Sequence, residues 1–382
     1  MLNQESSKAS LTGAKMRFLP SVSASASQGW SWNGEQNSNN TQYGINGSLT
    51  LFNGLSNLRT LKQSRLSNDQ SALKVQQTEN SVDIQIIQSY LTILMNQEKL
   101  SYQQEVLETS HQQQLEGEVK YQVGRILESD YLLLGANYTS AQAELENTRL
   151  AIEDDLFGLA DILGIADVKI DVVPSTDTLR AADRTVPLRD SLMAQAQRSM
   201  PDWKISEMDV DLARLNMRLA ESSFMPSLSL NAGYGGQWLP GLMSSTKSTF
   251  GDNASLTLGL NIPIFDQGSS VTQYKQSKIA LQQAELQHQQ TLIDLASQID
   301  DLYLTTQQAL NRYRASEALC EAYRASYEVY VLKYAEGAVT TVELLQQQDR
   351  YLSALNDYLQ NKYSYLLAEK QMDLYTGKEI KL

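Results

Sequence analysis

Between residues 22 and 32 the chain changes side at every step. Val22, Ala24, Ala26, Gln28, Trp30 and Trp32 alternate with Ser or other small or polar residues. Tyr43, Ile45, Gly47, Leu49 and Leu51 then alternate with Gly44, Asn46, Ser48 and Thr50. The rhythm returns downstream, first with Leu228, Leu230, Ala232 and Tyr234 and then with Leu256, Leu258, Leu260, Ile262 and Ile264. A period of two gives a strand one apolar and one polar face. Segments of about ten residues are long enough to cross a bilayer as tilted strands. Trp30, Trp32, Tyr43 and Trp238 cluster near segment ends, as in an interfacial aromatic girdle. Two hairpins of a soluble sheet, with the apolar face on a core, are the alternative reading.

Each hairpin is followed by a very long stretch of different rhythm. Residues 55–163 lack proline, and residues 269–376 lack proline and contain one glycine, Gly337. Nothing there breaks a helical backbone. Leu281, Leu286, Leu292, Ile299, Leu302 and Leu310 recur at coiled-coil intervals and form a narrow seam. A helix from Ser269 to about Ala335 would have 67 residues, roughly 100 Å at ~1.5 Å per residue.

The chain repeats itself at an offset of 213. Phe52 matches Phe265, Lys62-Gln63-Ser64 matches Lys275-Gln276-Ser277, and Tyr90-Leu91-Thr92 matches Tyr303-Leu304-Thr305. The register holds without a gap to Gly164 and Gly377. Upstream, Phe18, Pro20 and Ser21 match Phe224, Pro226 and Ser227 at an offset of 206. The second copy therefore holds seven extra residues, expected in WLPGLMSSTKSTFGDN, a loop by composition; NGEQNSNNT stands at the equivalent place in the first.

Within this frame, YQVGRILESDYL (121–132) and YAEGAVTTVELL (334–345) are the turns of two helical hairpins. Gly124 and Gly337 permit the positive φ of a helix C-cap. Thr340 or Thr341 is expected to cap the second returning helix, and Ser129 or Asp130 the first.

Residues 1–164 then form a first repeat: a shortened lead helix, a β-hairpin at about 20–53 and a helical hairpin at about 55–164. Residues 165–187 form a linker with Pro174 and Pro187. Residues 188–377 form the second repeat: one lead helix over 188–223 that runs past Pro201, a β-hairpin at about 227–265 and a helical hairpin at about 269–376. A short tail, 378–382, closes the chain. The fold class is mainly α with membrane β. Four strands cannot close a barrel, and closure is what insertion demands. If the strands span a membrane, several chains must combine, giving a composite barrel of strands that continues into a composite barrel of helices.

Composition narrows the function. A net charge of -13 argues against nucleic-acid partners, whose binders show basic patches. One cysteine, Cys320, and two histidines, His111 and His288, allow neither an internal disulfide nor a Cys/His metal cluster. Cys320 is expected to be a buried structural thiol. No phosphate loop or nucleophile elbow points to an enzyme, and no cofactor is expected.

The chain resembles the TolC family of outer-membrane efflux proteins. The resemblance is carried by Leu19-Pro20-Ser21 and Met225-Pro226-Ser227, by the strand ends TLFNG and IPIFDQG, and by the two YxxG tips. It extends from about Lys15 to Gly377. It implies a homotrimer with a 12-stranded outer-membrane barrel and a 12-helix periplasmic barrel, the linker forming an equatorial belt. It implies a channel in a Gram-negative outer membrane, in contact with lipid, that exports drugs, small toxic molecules or secreted polypeptides. Its partners would be a periplasmic membrane-fusion adaptor and an inner-membrane pump. The absence of a signal peptide is expected to reflect a leader removed or missed. Asp130 and Glu343 match the family's acidic entrance ring, where mutual repulsion would raise their pKa values. Tyr121, Gly124, Arg125, Tyr334, Gly337 and Val339 match the adaptor-contacting tips. Gln346 and Val339 depart from the family, which often has an acid and an arginine there. A coiled-coil scaffold, soluble or peripheral and without channel activity, is the alternative.

Overall fold

The computed structural model describes residues 1–34, 36–165, 170–173, 185–239 and 249–378. The side chains of Asn33, 36–39, 237–239 and 249–251 are not among those described. The elements run α1 (Leu2–Met16), β1 (Ser21–Asn33), β2 (Gln36–Asn53), α2 (Ser56–Gln122), α3 (Glu128–Leu163), α4 (Arg189–Ser199), α5 (Pro201–Ser222), β3 (Ser227–Leu239), β4 (Thr249–Asn261), α6 (Ser269–Glu336) and α7 (Thr341–Thr376). They fall into two compact units. Met1–Gln76 with Pro201–Leu292 form the first, and Gln77–Met200 with Ile293–Leu382 the second.

The first unit holds one antiparallel sheet in the order β1-β2-β3-β4. Its register sorts side chains by chemistry. Ala24, Ile45, Tyr234 and Ala254 stand in one row, and Val22, Gly47, Ala232 and Leu256 in the next. These rows share a face with Leu228, Leu230, Leu258 and Leu260. The opposite face carries Ser23, Asn46, Gly233 and Ser255, then Ser21, Ser48, Asn231 and Thr257. The apolar face meets no core: Val22, Ile45, Leu256, Leu258 and Leu260 are all exposed.

Both hairpins differ in extent from the expectation. NGEQNSNNT is not a loop in the described residues; Gln36–Thr41 belong to β2 and pair with Gln28–Asn33. β1 runs to Asn33, which pairs with Gln36, and Gly34 has φ 56°, a positive value of the kind tight hairpin turns use. In the second hairpin Thr249–Asn253 are already β4, while residues 240–248 lie outside the described residues. β4 stops at Asn261 rather than running on through Ile264. Pro263 has no N–H to give to a ladder.

The second lead helix is two helices. α4 ends at Ser199, and the φ of -73° and ψ of 129° at its C-cap Met200 are extended, because Pro201 disfavours helical backbone at the residue before it. α5 then starts on the proline, where a missing N–H costs nothing. The strand-to-helix turns are also matched. Gly54 and Leu55 both have positive φ, as do Gln267 and Gly268. The same left-handed pair occurs in each repeat, with its glycine at a different member.

The second unit is helical. Ile87, Leu91, Ile93 and Leu94 of α2 pack with Leu159 of α3 and with Tyr363, Leu366 and Leu367 of α7. Leu192 and Ala196 of α4 pack with Leu295 and Ile299 of α6 and Met372 of α7. Lys362 pairs with Glu98 at 2.7 Å, and Tyr363 donates to the same carboxylate at 2.9 Å. Cys320 is half-buried rather than fully enclosed, and burial lifts its thiol pKa. Most of the expected linker at 165–187 lies outside the described residues; Val172 is buried in the α2–α3–α7 core. No described helix is long and apolar enough to cross a membrane.

Candidate functional site at the helical tips

The two tips share their backbone and differ in their side chains. At the first, the Gly124 N–H donates to Tyr121 O at 2.9 Å and the Arg125 N–H to Lys120 O at 2.8 Å. At the second, Gly337 donates to Tyr334 O at 3.1 Å and Ala338 to Lys333 O at 2.9 Å. Gly124 and Gly337 have φ of 72° and 76°. A Cβ at either would meet nothing within 4 Å. Glycine is needed there for conformation, not for space.

The returning helices start differently. Thr340 caps α7: its hydroxyl accepts from the Glu343 N–H at 3.3 Å, and Glu343 Oε2 accepts from the Thr340 N–H at 2.8 Å. This is a capping box. The residue matched to Thr340 is Leu127, which caps α3 without any side-chain bond. Ser129 and Asp130, expected as caps, lie inside the first turn of α3, where Asp130 meets the positive end of the helix dipole.

Glu343 is fully exposed, and the Thr340 backbone and hydroxyl donors hold its carboxyl below the usual carboxylate range. Within one chain the pull on its pKa is therefore downward, opposite to the rise expected from a crowded acidic ring. Asp130 is half-exposed at the matched position.

The tips also differ in burial. Tyr334 is 4% exposed and packs with Leu344 and with Leu134 of α3; Val339 lies on the same cluster. Its repeat-mate Tyr121 is exposed and stacks on Tyr131, with ring centroids 5.6 Å apart and 3° between planes. Arg125 points to solvent. Leu134 reaches this cluster over Gly117, where a Cβ would lie 2.4 Å from Leu134 Cδ1.

Sequence reasoning missed Lys120. Its ammonium lies 4.0 Å from the Tyr334 ring centroid and donates to Tyr334 O at 3.0 Å, joining α2 to α6. The repeated Lys-Tyr doublet, Lys120-Tyr121 and Lys333-Tyr334, was its visible signal. Of the expected girdle, Trp30, Trp32 and Tyr43 are exposed. Tyr43 and Tyr234 donate to Asp252 at 2.7 and 3.0 Å. The Trp238 side chain lies outside the described residues.

The chain is similar to TolC of Vibrio cholerae, with 22% identity over 95% of this chain and 83% of that protein. It is also similar to the alkaline protease secretion protein AprF of Pseudomonas aeruginosa, with 19% identity over 77% of this chain and 61% of AprF. Among solved structures its fold matches CusC with a TM-score of 0.82 at 17% identity, covering 99% of this chain and 88% of that one. It matches the outer membrane protein VceC of Vibrio cholerae with a TM-score of 0.79 at 15% identity, covering 100% and 92%. The model of the outer membrane efflux protein family matches residues 1–165 and 192–378. The two-faced sheet, the duplicated helical hairpins and this match agree: the chain belongs to the outer membrane efflux protein family.

Proposed function

We propose that this chain is the outer-membrane channel of a tripartite export assembly. It would act as a homotrimer whose strands form a 12-stranded barrel and whose long helices form a 12-helix periplasmic barrel, with residues 165–187 in its belt. The observation that carries the reading is the sheet. Its apolar face is exposed and its opposite face is polar throughout, which suits lipid outside and water inside. Its outer strands β1 and β4 are edges that a bilayer does not tolerate. Further copies remove them.

The tips would dock on a periplasmic adaptor that links the channel to an inner-membrane pump. Asp130 and Glu343 would line the entrance. The cargo class is drugs, small toxic molecules or secreted polypeptides, and the chain performs no chemistry on it.

The test is purification in detergent, mass determination by light scattering, and planar-bilayer recording. A trimer with discrete conductance supports the reading. A stable monomer in buffer without detergent sinks it and favours a scaffold. In the same bilayers, Asp130→Asn with Glu343→Gln should reduce block by multivalent cations; unchanged block removes both acids from the entrance.

A further inference from the structure

The apolar face of the sheet carries one acid among the described residues, Asp252. Its row reads Ala26, Tyr43, Gly236 and Asp252 across the four strands, one step past the row of Ile45 and Tyr234. Two phenols grip the carboxylate. Tyr43 donates to Oδ1 at 2.7 Å and Tyr234 to Oδ2 at 3.0 Å. Tyr43 stands on β2 and Asp252 on β4, so the Tyr43 ring has to cross β3. Gly236 permits the crossing: a Cβ there would lie 2.5 Å from the Tyr43 hydroxyl and 2.8 Å from Asp252 Oδ1.

The face differs on the two sides of this row. On one side lie Ile45, Leu256, Leu258 and Leu260, all exposed and without a charge between them. On the other side the pairing of β2 with β3 stops at Thr41 and Trp238. β1 and β2 go on as a two-stranded ribbon, with Trp30 opposite Asn39 and Trp32 opposite Asn37. The two indoles are 62% and 74% exposed.

A carboxylate held by two phenols suits the headgroup layer, where water and headgroup ammoniums satisfy its remaining lone pairs; hydrocarbon offers no such partner. We infer that the Tyr43–Asp252–Tyr234 clamp is the outer headgroup contact of the lipid-facing surface, and that Trp30 and Trp32 stand beyond the bilayer, in water, and not in its aromatic belt. This inference rests on the membrane-spanning sheet proposed above and adds where the lipid ends. The lengths agree with it. An apolar band of roughly 25 Å, counted from Asp252 at ~3.4 Å per residue and a tilt of ~40°, takes about ten residues and reaches Ile262. Exposed Phe18, Phe224 and Phe265 lie around that end of the sheet. In the other direction Trp30 is four residues past Ala26 and Trp32 six. They rise roughly 10 and 15 Å above the clamp, whereas a headgroup layer is only ~5–7 Å deep.

Spin labels on single cysteines test it, in a Cys320→Ser chain reconstituted in vesicles of phosphatidylethanolamine and phosphatidylglycerol. Labels go on Leu256→Cys, Ala26→Cys, Trp30→Cys and Trp32→Cys. Collision with oxygen reports hydrocarbon, and collision with a water-soluble nickel chelate reports water. The Leu256 label should favour oxygen, the Ala26 label should sit at the crossover, and the Trp30 and Trp32 labels should favour the chelate. Asp252→Leu should move the boundary outward by one row, roughly 5 Å, so that the Ala26 label comes to favour oxygen. Oxygen-favoured labels at Trp30 and Trp32, or an Ala26 label unmoved by Asp252→Leu, overturn the clamp as the boundary and leave the channel reading standing. A chelate-favoured label at Leu256 overturns both.

Discussion

Lys120 of α2 holds Tyr334 of α6 twice, by its charge over the ring at 4.0 Å and by a hydrogen bond to the residue's own carbonyl at 3.0 Å. That carbonyl belongs to the last turn of α6, where backbone acceptors run out of helical donors. A cation at a helix C-terminus also meets the negative end of the dipole. Lys120→Met keeps the stem and removes both contacts. It should cost about 1–2 kcal/mol locally, read as faster amide exchange at residues 335–338. Lys120→Arg should recover most of it. Unchanged exchange in Lys120→Met would show that the contact holds nothing.

The unequal caps make a reciprocal prediction. Thr340→Ala should destabilise the start of α7 by about 1 kcal/mol, and Leu127→Thr should stabilise the start of α3 by a similar amount. Amide exchange in each first turn measures both. The Thr340 effect carries a pH sign. The folded carboxyl of Glu343 titrates below its ordinary value, so its contribution is present above that value and fades as pH falls through the lowered one. The penalty of Thr340→Ala should therefore shrink in acid.

The left-handed pairs at the sheet-to-helix turns give a third test. Gln267 at φ 59° and Leu55 at φ 68° carry a strain that glycine would not. Gln267→Gly should leave the fold unharmed or stabilise it by up to about 1 kcal/mol. Gly54→Ala should do the reverse and lose more than Gly268→Ala. A Cβ at Gly54 would lie 2.7 Å from Met225 Cβ and from Ser222 O, whereas at Gly268 it meets nothing within 4 Å. Thermal unfolding in detergent ranks the variants, and equal losses would contradict the steric account.

A group of tyrosines sets an alkaline limit. Burial pushes the Tyr351 phenol up to about 12 from an ordinary 10.0. Tyr363 is raised by burial and then by the charge of Glu98, and Tyr358 by burial and then by Tyr313. Their raised values mean that the folded chain keeps protons the unfolded chain releases. The stability this provides is whole below pH 10 and is lost as pH rises towards 12. Circular dichroism across that window should show falling stability, and Tyr363→Phe should flatten the slope.

How much of this could be read beforehand depended on whether the signal was local. The period-two segments, proline-free runs and tip glycines are local, and they reappear as strands, helices and positive φ, except that Ile262 and Ile264 fall beyond the end of β4. The break at Met200 was equally local, written in Pro201, yet the helical pattern on both sides obscured it. Only the tip of the first hairpin misleads: Asn and Ser crowd NGEQNSNNT like a loop, although pairing of Gln36–Thr41 with Gln28–Asn33 outweighs such propensities. Lys120 over Tyr334 could not be found by periodicity, since the two lie 214 residues apart.

The polar face of the sheet has one more consequence. Its central rows are built from serine, threonine, asparagine and glycine, with no formal charge among them. A conduit lined by this face would present hydroxyls, amides and bare backbone to whatever passes, alike to cation and anion. It would sieve by width and leave ionic preference to residues elsewhere, so replacing Asn46 or Thr257 should alter how much passes without altering which sign of charge is favoured.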